Sequence, residues 1–245
     1  MNATHVSNPL LRLAVLVLLA SPALARQEHA TDSKGSWSWR VAPYFWTAGI
    51  DGTVTTPNAE VDMEVDFGDI WDNLESAGLL FVEARKDRLA VLGDLVYLGL
   101  EVDGETPAGA DADVELDTTI LQLAGLYRLS PTSAFELGGG ARYTDFDTEL
   151  SAGVVNSSSD RSAFDGFAAG RGTWCFGQRW SLQVYGDVGA GDSDLTWQAS
   201  TMLGFSLGSW GLGLGYRMLD YDFEEGSNEL DLTFEGLVYG VEFNF

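Results

Sequence analysis

The chain has 245 residues, with 37 Asp and Glu against 13 Lys and Arg, a formal charge of −24, 29 Gly and 12% aromatic residues. So acidic a chain speaks against nucleic-acid binding, which rewards clustered Lys and Arg on phosphates. Beyond the N-terminal segment no stretch approaches the ~18 consecutive apolar residues of a spanning helix, which speaks against a helical membrane protein. The one cysteine, Cys175, allows no intramolecular disulfide and reads as a small apolar filler.

Residues 1–25 read as a cleavable signal peptide: Arg12 leads into the apolar run Leu13–Ala20, and Ser21–Ala25 ends in the small-x-small pattern of a cleavage site. Cleavage after Ala25 removes one base and no acid, leaving 12 bases against 37 acids. Residues 26–36 are polar and patternless, and are expected to form a short periplasmic tail.

From Trp37 to Ile50 the chain is rich in aromatic residues and predicts a first strand, with Pro43 inside it and both faces too apolar to say which looks outward. In residues 51–77 a strand-like alternation of Val61, Met63, Val65 and Phe67 gives way to the helical spacing of Ile70, Trp71 and Leu74, with Asp69 as the expected cap. That segment fits either an extracellular hairpin or a plug folded into a lumen. Strands are then predicted over 78–86, 89–100, 113–129, 135–144, 163–176, 180–189, 195–207 and 210–218. Tight turns are expected near residues 87, 131, 178 and 209, and polar loops over 101–112, 149–162 and 221–229.

In the closing stretch, Leu237, Tyr239, Val241, Phe243 and Phe245 alternate with Val238, Gly240, Glu242 and Asn244. One apolar, aromatic stripe therefore faces a different environment from a row of small and polar residues. A soluble sandwich alternates too, but it carries its charges on the outer face of its strands. Here the polar face is mostly Gly, Ser, Thr and Gln with isolated charges, and the acids crowd into the connections. Short and long connections taking turns complete the pattern of an all-β, closed antiparallel transmembrane β-barrel spanning 37–245. About ten strands are expected, with eight and twelve as alternatives. The last strand should pair with the first.

Several motifs carry a family resemblance over most of the mature chain: Pro43-Tyr44-Phe45-Trp46, Asp51-Gly52-Thr53-Val54, the run Asp66 to Leu74, Glu83-Ala84-Arg85-Lys86, Leu214-Gly215-Tyr216-Arg217 and the closing Phe245. They resemble uncharacterised proteobacterial outer-membrane proteins within the broad group of small OmpA/OmpW-like barrels. The resemblance implies export to the Gram-negative outer membrane and insertion by the barrel assembly machinery, with Tyr239, Phe243 and Phe245 as the assembly signal. It brings no catalytic residues with it.

Known barrel enzymes of the protease, deacylase, phospholipase and palmitoyltransferase types use a histidine for proton transfer. Of the two histidines, His5 lies in the signal peptide and His29 in the tail, so no such chemistry is expected in the wall. Neither His nor Cys is placed to hold a catalytic metal, and the acidic runs lack the order of a calcium loop, so no cofactor is expected. A weak divalent-cation bridge to lipopolysaccharide is a minor hypothesis for those runs.

The inward acids Glu83, Asp94, Glu136, Asp165, Asp187 and Glu242 are expected beside Arg85, Arg142, Arg171 and Arg217 as a lumen charge network, since a charge in a dry lumen is costly unless paired. The expected function is a structural or surface barrel with a narrow, largely plugged lumen, non-enzymatic and monomeric, with outer-membrane lipid and lipopolysaccharide as its surroundings. A channel for small hydrophilic or amphipathic solutes is the alternative, and a soluble periplasmic β-protein is a third class.

Overall fold

A computed structural model describes residues 35–56, 59–105, 111–152, 155–225 and 228–245. The predicted signal peptide and nearly all of the tail lie outside the described residues.

Eleven strands form one antiparallel sheet: β1 (Ser38–Thr56), β2 (Ala59–Val65), β3 (Leu74–Lys86), β4 (Leu89–Glu105), β5 (Asp111–Arg128), β6 (Phe135–Ala152), β7 (Val155–Phe176), β8 (Trp180–Gly191), β9 (Leu195–Ser206), β10 (Trp210–Glu225) and β11 (Asn228–Asn244). A single helical turn and a half, α1 (Phe67–Asp72), separates β2 from β3. β11 pairs with β1, from Arg40 opposite Asn244 to Thr55 opposite Glu229, so β1 and β3 to β11 close a ten-stranded barrel. The backbone of Trp39 and Phe245 exchanges both hydrogen bonds at the end of that pairing. β2 is a hairpin strand laid against the far end of β1, outside the count of ten.

Side chains follow the two-residue period of the strands. Leu121, Leu123 and Tyr127 of β5, Leu137 and Tyr143 of β6, Phe164 of β7, Leu212, Leu214 and Tyr216 of β10, and Leu237, Tyr239 and Phe243 of β11 stand exposed on the outer face. At one end this belt begins in Trp37, Trp39, Trp180, Trp210 and Phe245, all exposed. At the other end it gives way to acids, Tyr97 donating to Asp117 and Tyr143 to Asp145. An apolar wall bounded by aromatic girdles has nothing to bury against in water and matches hydrocarbon.

The connections on the Trp-rich side are tight. They need a positive φ at Asp87 (+53°), Gly177 (+61°) and Gly208 (+99°), where glycine carries no steric penalty. The opposite side departs from the sequence-based expectation. In the described residues of the loops expected over 101–112, 149–162 and 221–229 the strands continue instead, with pairing from Glu101 opposite Glu115 to Glu105 opposite Asp111, and from Glu149 opposite Ser158 to Ala152 opposite Val155. Once a ladder leaves the membrane both of its faces are wet, so alternation of apolar and polar residues no longer marks it. β3 likewise starts at Leu74 rather than at 78. The N-cap position of the helix is Asp66, whose side chain makes no capping hydrogen bond, and Asp69 lies in the first turn.

These extensions bring like charges face to face. Asp117, Asp147 and Asp160 are aligned across three strands, and Asp222 opposes Asp231. Directly opposed like charges destabilise a strand pair. Partial desolvation, then the neighbouring Asp145, Asp160 and Asp117 charges, raises the Asp147 carboxyl above its ordinary 3.8. Desolvation, then the Asp231 and Asp194 charges, raises the Asp222 carboxyl in the same way, and desolvation, then the Asp220 and Glu229 charges, raises that of Asp231. A carboxyl with a raised folded-state pKa holds more protons folded than unfolded, so the rim gains stability as pH falls through that pKa and loses it as pH rises. Amide protection of the ladder around Asp147, corrected for intrinsic exchange rate, should therefore increase from neutral pH to about pH 4, and Asp147→Asn should flatten the change.

Candidate lumenal site

The inward face is filled by two kinds of side chain. In the half nearer the acidic rim it is apolar: Trp46, Val96, Ile120, Leu219, Tyr221, Phe223, Phe234 and Val238 form one buried cluster, joined by Ile50, Leu79, Leu98 and Phe146. Phe146 stacks on Phe234 at 6.3 Å between ring centres, and Tyr221 on Phe223 at 5.9 Å. This corrects the expectation of an inward face made mostly of small and polar residues with isolated charges. Towards the Trp-rich end the lumen becomes polar and charged. Close packing there depends on glycine: a Cβ on Gly140 would lie 2.0 Å from the Leu123 carbonyl oxygen and 2.7 Å from the Phe167 ring.

The charges are arranged in two tiers. In the lower tier Glu83 receives Arg40 (2.6 Å), Arg85 (2.8 Å) and Arg171 (2.8 Å). Glu136 receives Arg85 (2.6 Å), Arg128 (3.2 Å) and Arg171. Glu242 reaches Arg40 at 3.6 Å. Arg171 and Arg85 each bridge both glutamates, the forked geometry that guanidinium provides and ammonium does not. In the upper tier Arg142 binds Asp187 at 2.7 Å, Thr196 Oγ1 at 2.7 Å and Gln122 Oε1, while Arg217 binds Asp94 at 2.7 Å, the Tyr44 hydroxyl at 3.0 Å and Gln198 Oε1 at 2.7 Å. Gln122 in turn donates to the Tyr185 hydroxyl at 2.9 Å.

Of the residues singled out in the sequence, Arg85, Glu136, Arg171 and Glu242 lie in the lower tier, and Arg142, Asp187 and Arg217 in the upper. Asp165 is fully buried but meets no arginine: its Oδ1 accepts the Ser193 backbone N–H at 2.9 Å, and its Oδ2 has no partner among the described residues. Tyr239, Phe243 and Phe245 project from the outer face of β11. Arg40 and Arg128 were missed. Each has the right parity, two residues from the inward Ala42 and Leu126, but β1 looks apolar on both faces and Arg128 sits at a strand end.

Between the tiers lies a cavity of about 150 Å³, bordered by Arg40, Tyr44, Phe81, Leu92, Asp94, Arg171, Tyr185, Gln198, Met202, Arg217 and Val238 among others. Among the described residues no group of His, Cys, Asp and Glu is placed to hold a metal ion.

A closed barrel with an apolar belt outside and a packed, charge-paired interior defines a transmembrane β-barrel. No family model matches the chain, and no curated protein matches it. Among solved structures, it is similar to the translocator domain of the autotransporter NalP from Neisseria meningitidis, with a TM-score of 0.49, 15% identity and coverage of 87% of this chain and 90% of that one. It is also similar to the outer membrane protease OmpT from Escherichia coli (0.49, 8% identity, 89% and 99% covered) and to Ail, the attachment invasion locus protein of Yersinia pestis (0.36, 9%, 86% and 99%). At these identities and scores the likeness concerns the barrel and says nothing of activity.

Arg142 is the test of what the network does. It is completely buried, and Arg142→Met leaves Asp187 and Gln122 without their partner, a loss of about 3–5 kcal/mol for a broken buried pair. The heat-modifiable gel shift of the variant should occur at a clearly lower temperature, and adding Asp187→Leu should recover much of the loss.

Proposed function

We propose that this protein is an outer-membrane barrel with a closed axial path, serving a structural or surface role, and without enzymatic activity. The observation that carries the reading is the filling of the lumen: Arg142, Thr144, Asp165, Leu219 and Tyr221, from several strands, are all fully buried. Arg40, Arg85, Arg128, Arg142, Arg171 and Arg217 are paired with Glu83, Asp94, Glu136, Asp187 and Glu242, while Asp165 is buried without an arginine partner among the described residues. A lumen whose cations are all paired with acids offers little field to select an ion. The motifs shared with small OmpA/OmpW-like barrels support the outer-membrane location, and the N-terminal pattern supports export by a cleaved signal. Lipid and lipopolysaccharide are then the protein's surroundings, and the chain acts as a monomer.

A small-solute channel is the second reading, favoured by the cavity between the two tiers. Planar-bilayer recording separates the two. Purified protein should give no steady unit conductance, and Arg142→Ala or Arg217→Ala should at most produce irregular leaks. A stable conductance in the unaltered protein, abolished by either change, would establish the channel.

We further propose that Tyr239, Phe243 and Phe245 form the segment read by the assembly machinery. Deleting Phe245, which also removes the paired hydrogen bonds to Trp39, should lower the amount of heat-modifiable barrel in the outer membrane. Unchanged levels would contradict the role.

A further inference from the structure

Three cations stand at the Trp-rich edge of the barrel, outside the lumenal network. Lys86 and Arg88 flank the turn between β3 and β4, and Arg179 closes the turn between β7 and β8. Each is laid on an aromatic ring. The Lys86 ammonium lies 5.9 Å from the centre of the Trp37 ring, the Arg88 guanidinium 4.5 Å from that of Tyr127, and the Arg179 guanidinium 5.9 Å from that of Phe205. Trp37 and Tyr127 are exposed on the outer face, and Phe205 packs on the exposed Trp180. The ring's quadrupole attracts the cation, so these contacts turn three long side chains towards the outside of the wall.

Arg88 is fixed most firmly. Its Nε and Nη2 donate to the Arg128 carbonyl at 2.9 and 2.7 Å, and Nη2 donates also to the Leu129 carbonyl. One edge of the guanidinium thus fastens it to the neighbouring turn, while Nη1 makes no hydrogen bond among the described residues and keeps both of its hydrogens. Lys86, Arg88 and Arg179 form no ion pair among the described residues. Asp87, exposed at the tip, is the one acid of the 86–88 turn and leaves it with one net positive charge. In the lumen a fixed cation is fixed by its acid. Here carbonyls and rings fix the cation, and the anion is missing.

We propose that the Lys86–Arg88 turn, with Trp37 and Tyr127, binds the headgroup phosphate of an anionic phospholipid in the periplasmic leaflet, with Arg179 as a second contact of the same kind. Depth selects a lipid: an aromatic girdle sits at the level of the headgroups, so the phosphate layer is what Nη1 and the ammonium meet. Charge selects the anionic class. An ethanolamine headgroup brings its own ammonium to a basic turn, whereas a glycerol headgroup leaves the phosphate charge uncompensated. The phosphates of lipopolysaccharide lie in the other leaflet, beside the acidic rim. The proposal rests on the outer-membrane reading, which puts the tight turns in the periplasm.

The test is photolabelling of the full chain in vesicles of phosphatidylethanolamine with a minor share of phosphatidylglycerol. One or the other lipid carries a diazirine next to its headgroup, and the adducts are mapped. The phosphatidylglycerol probe should label Trp37, Tyr127 and residues 86–89 about fivefold more than the phosphatidylethanolamine probe, the ratio for one net basic charge at the surface. Excess inorganic phosphate should not compete, which separates a lipid site from a site for free phosphate. Arg88→Gln should bring the two probes close to equality. So should Lys86→Gln, which breaks no hydrogen bond and keeps the test open whatever Arg88→Gln does to folding. Equal labelling of the unaltered protein, competition by inorganic phosphate, or a preference untouched by Lys86→Gln would overturn the proposal. A chain that stays out of the bilayer and lacks heat-modifiable migration would instead overturn the barrel reading on which it rests.

Discussion

The structure depends on one constraint: in hydrocarbon a backbone N–H or C=O has no partner except another part of the chain. Closure of β11 on β1 meets that demand for the edges of the sheet, and long ladders meet it for the strands between. The apolar belt then follows from the two-residue period, since every second side chain must meet lipid. The constraint is relaxed at the seam between β1 and β3, whose pairing stops at Pro43 opposite Leu80 and leaves residues 44–49 and 74–79 open on that side. Pro43 has no N–H to give, and α1 lies next to the opening. The same stretch holds the buried Trp46 indole, without an acceptor among the described residues.

The charge distribution is governed by a second rule, that a buried charge must be paired. Six of the 13 basic residues are spent inside the barrel, paired with Glu83, Asp94, Glu136, Asp187 and Glu242. The remaining acids therefore have few cations to meet, and they collect on the extended ladders at one end, while Lys86, Arg88 and Arg179 lie at the tight turns of the other. The acidity that dominates the composition is thus a property of the outer rim. It reports on how that rim is solvated and not on the lumen.

Legibility in the sequence followed the environment of each segment. Where one face meets lipid and the other a packed lumen, as in β6, β8 and β10, alternation fixed both the strand and the direction of Glu136, Arg142, Asp187 and Arg217. Above the membrane both faces are wet, alternation stops, and the ladders around Glu101, Glu149 and Glu224 were read as loops. β1 is apolar on both faces because its inner side packs into the aromatic cluster through Trp46, so its orientation and the place of Arg40 were hidden. Partners set by the barrel's shear, such as Arg171 with Glu83 at a separation of 88 residues, have no local signal. The unpaired seam also leaves none: residues 74–77 show no strand alternation, and Leu74 falls into the helical spacing of Ile70 and Trp71.

Amide hydrogen exchange on the reconstituted barrel tests the account most directly, because it reads backbone pairing position by position. Uniformly slow exchange is predicted through the belt portions of β4 to β11 and for those amides of β1 that pair with β11. Fast exchange is predicted for the amides of residues 44–49 and 74–79 that face the seam. Slow exchange across the seam, equal to that of neighbouring strands, would show a continuous wall and contradict the account.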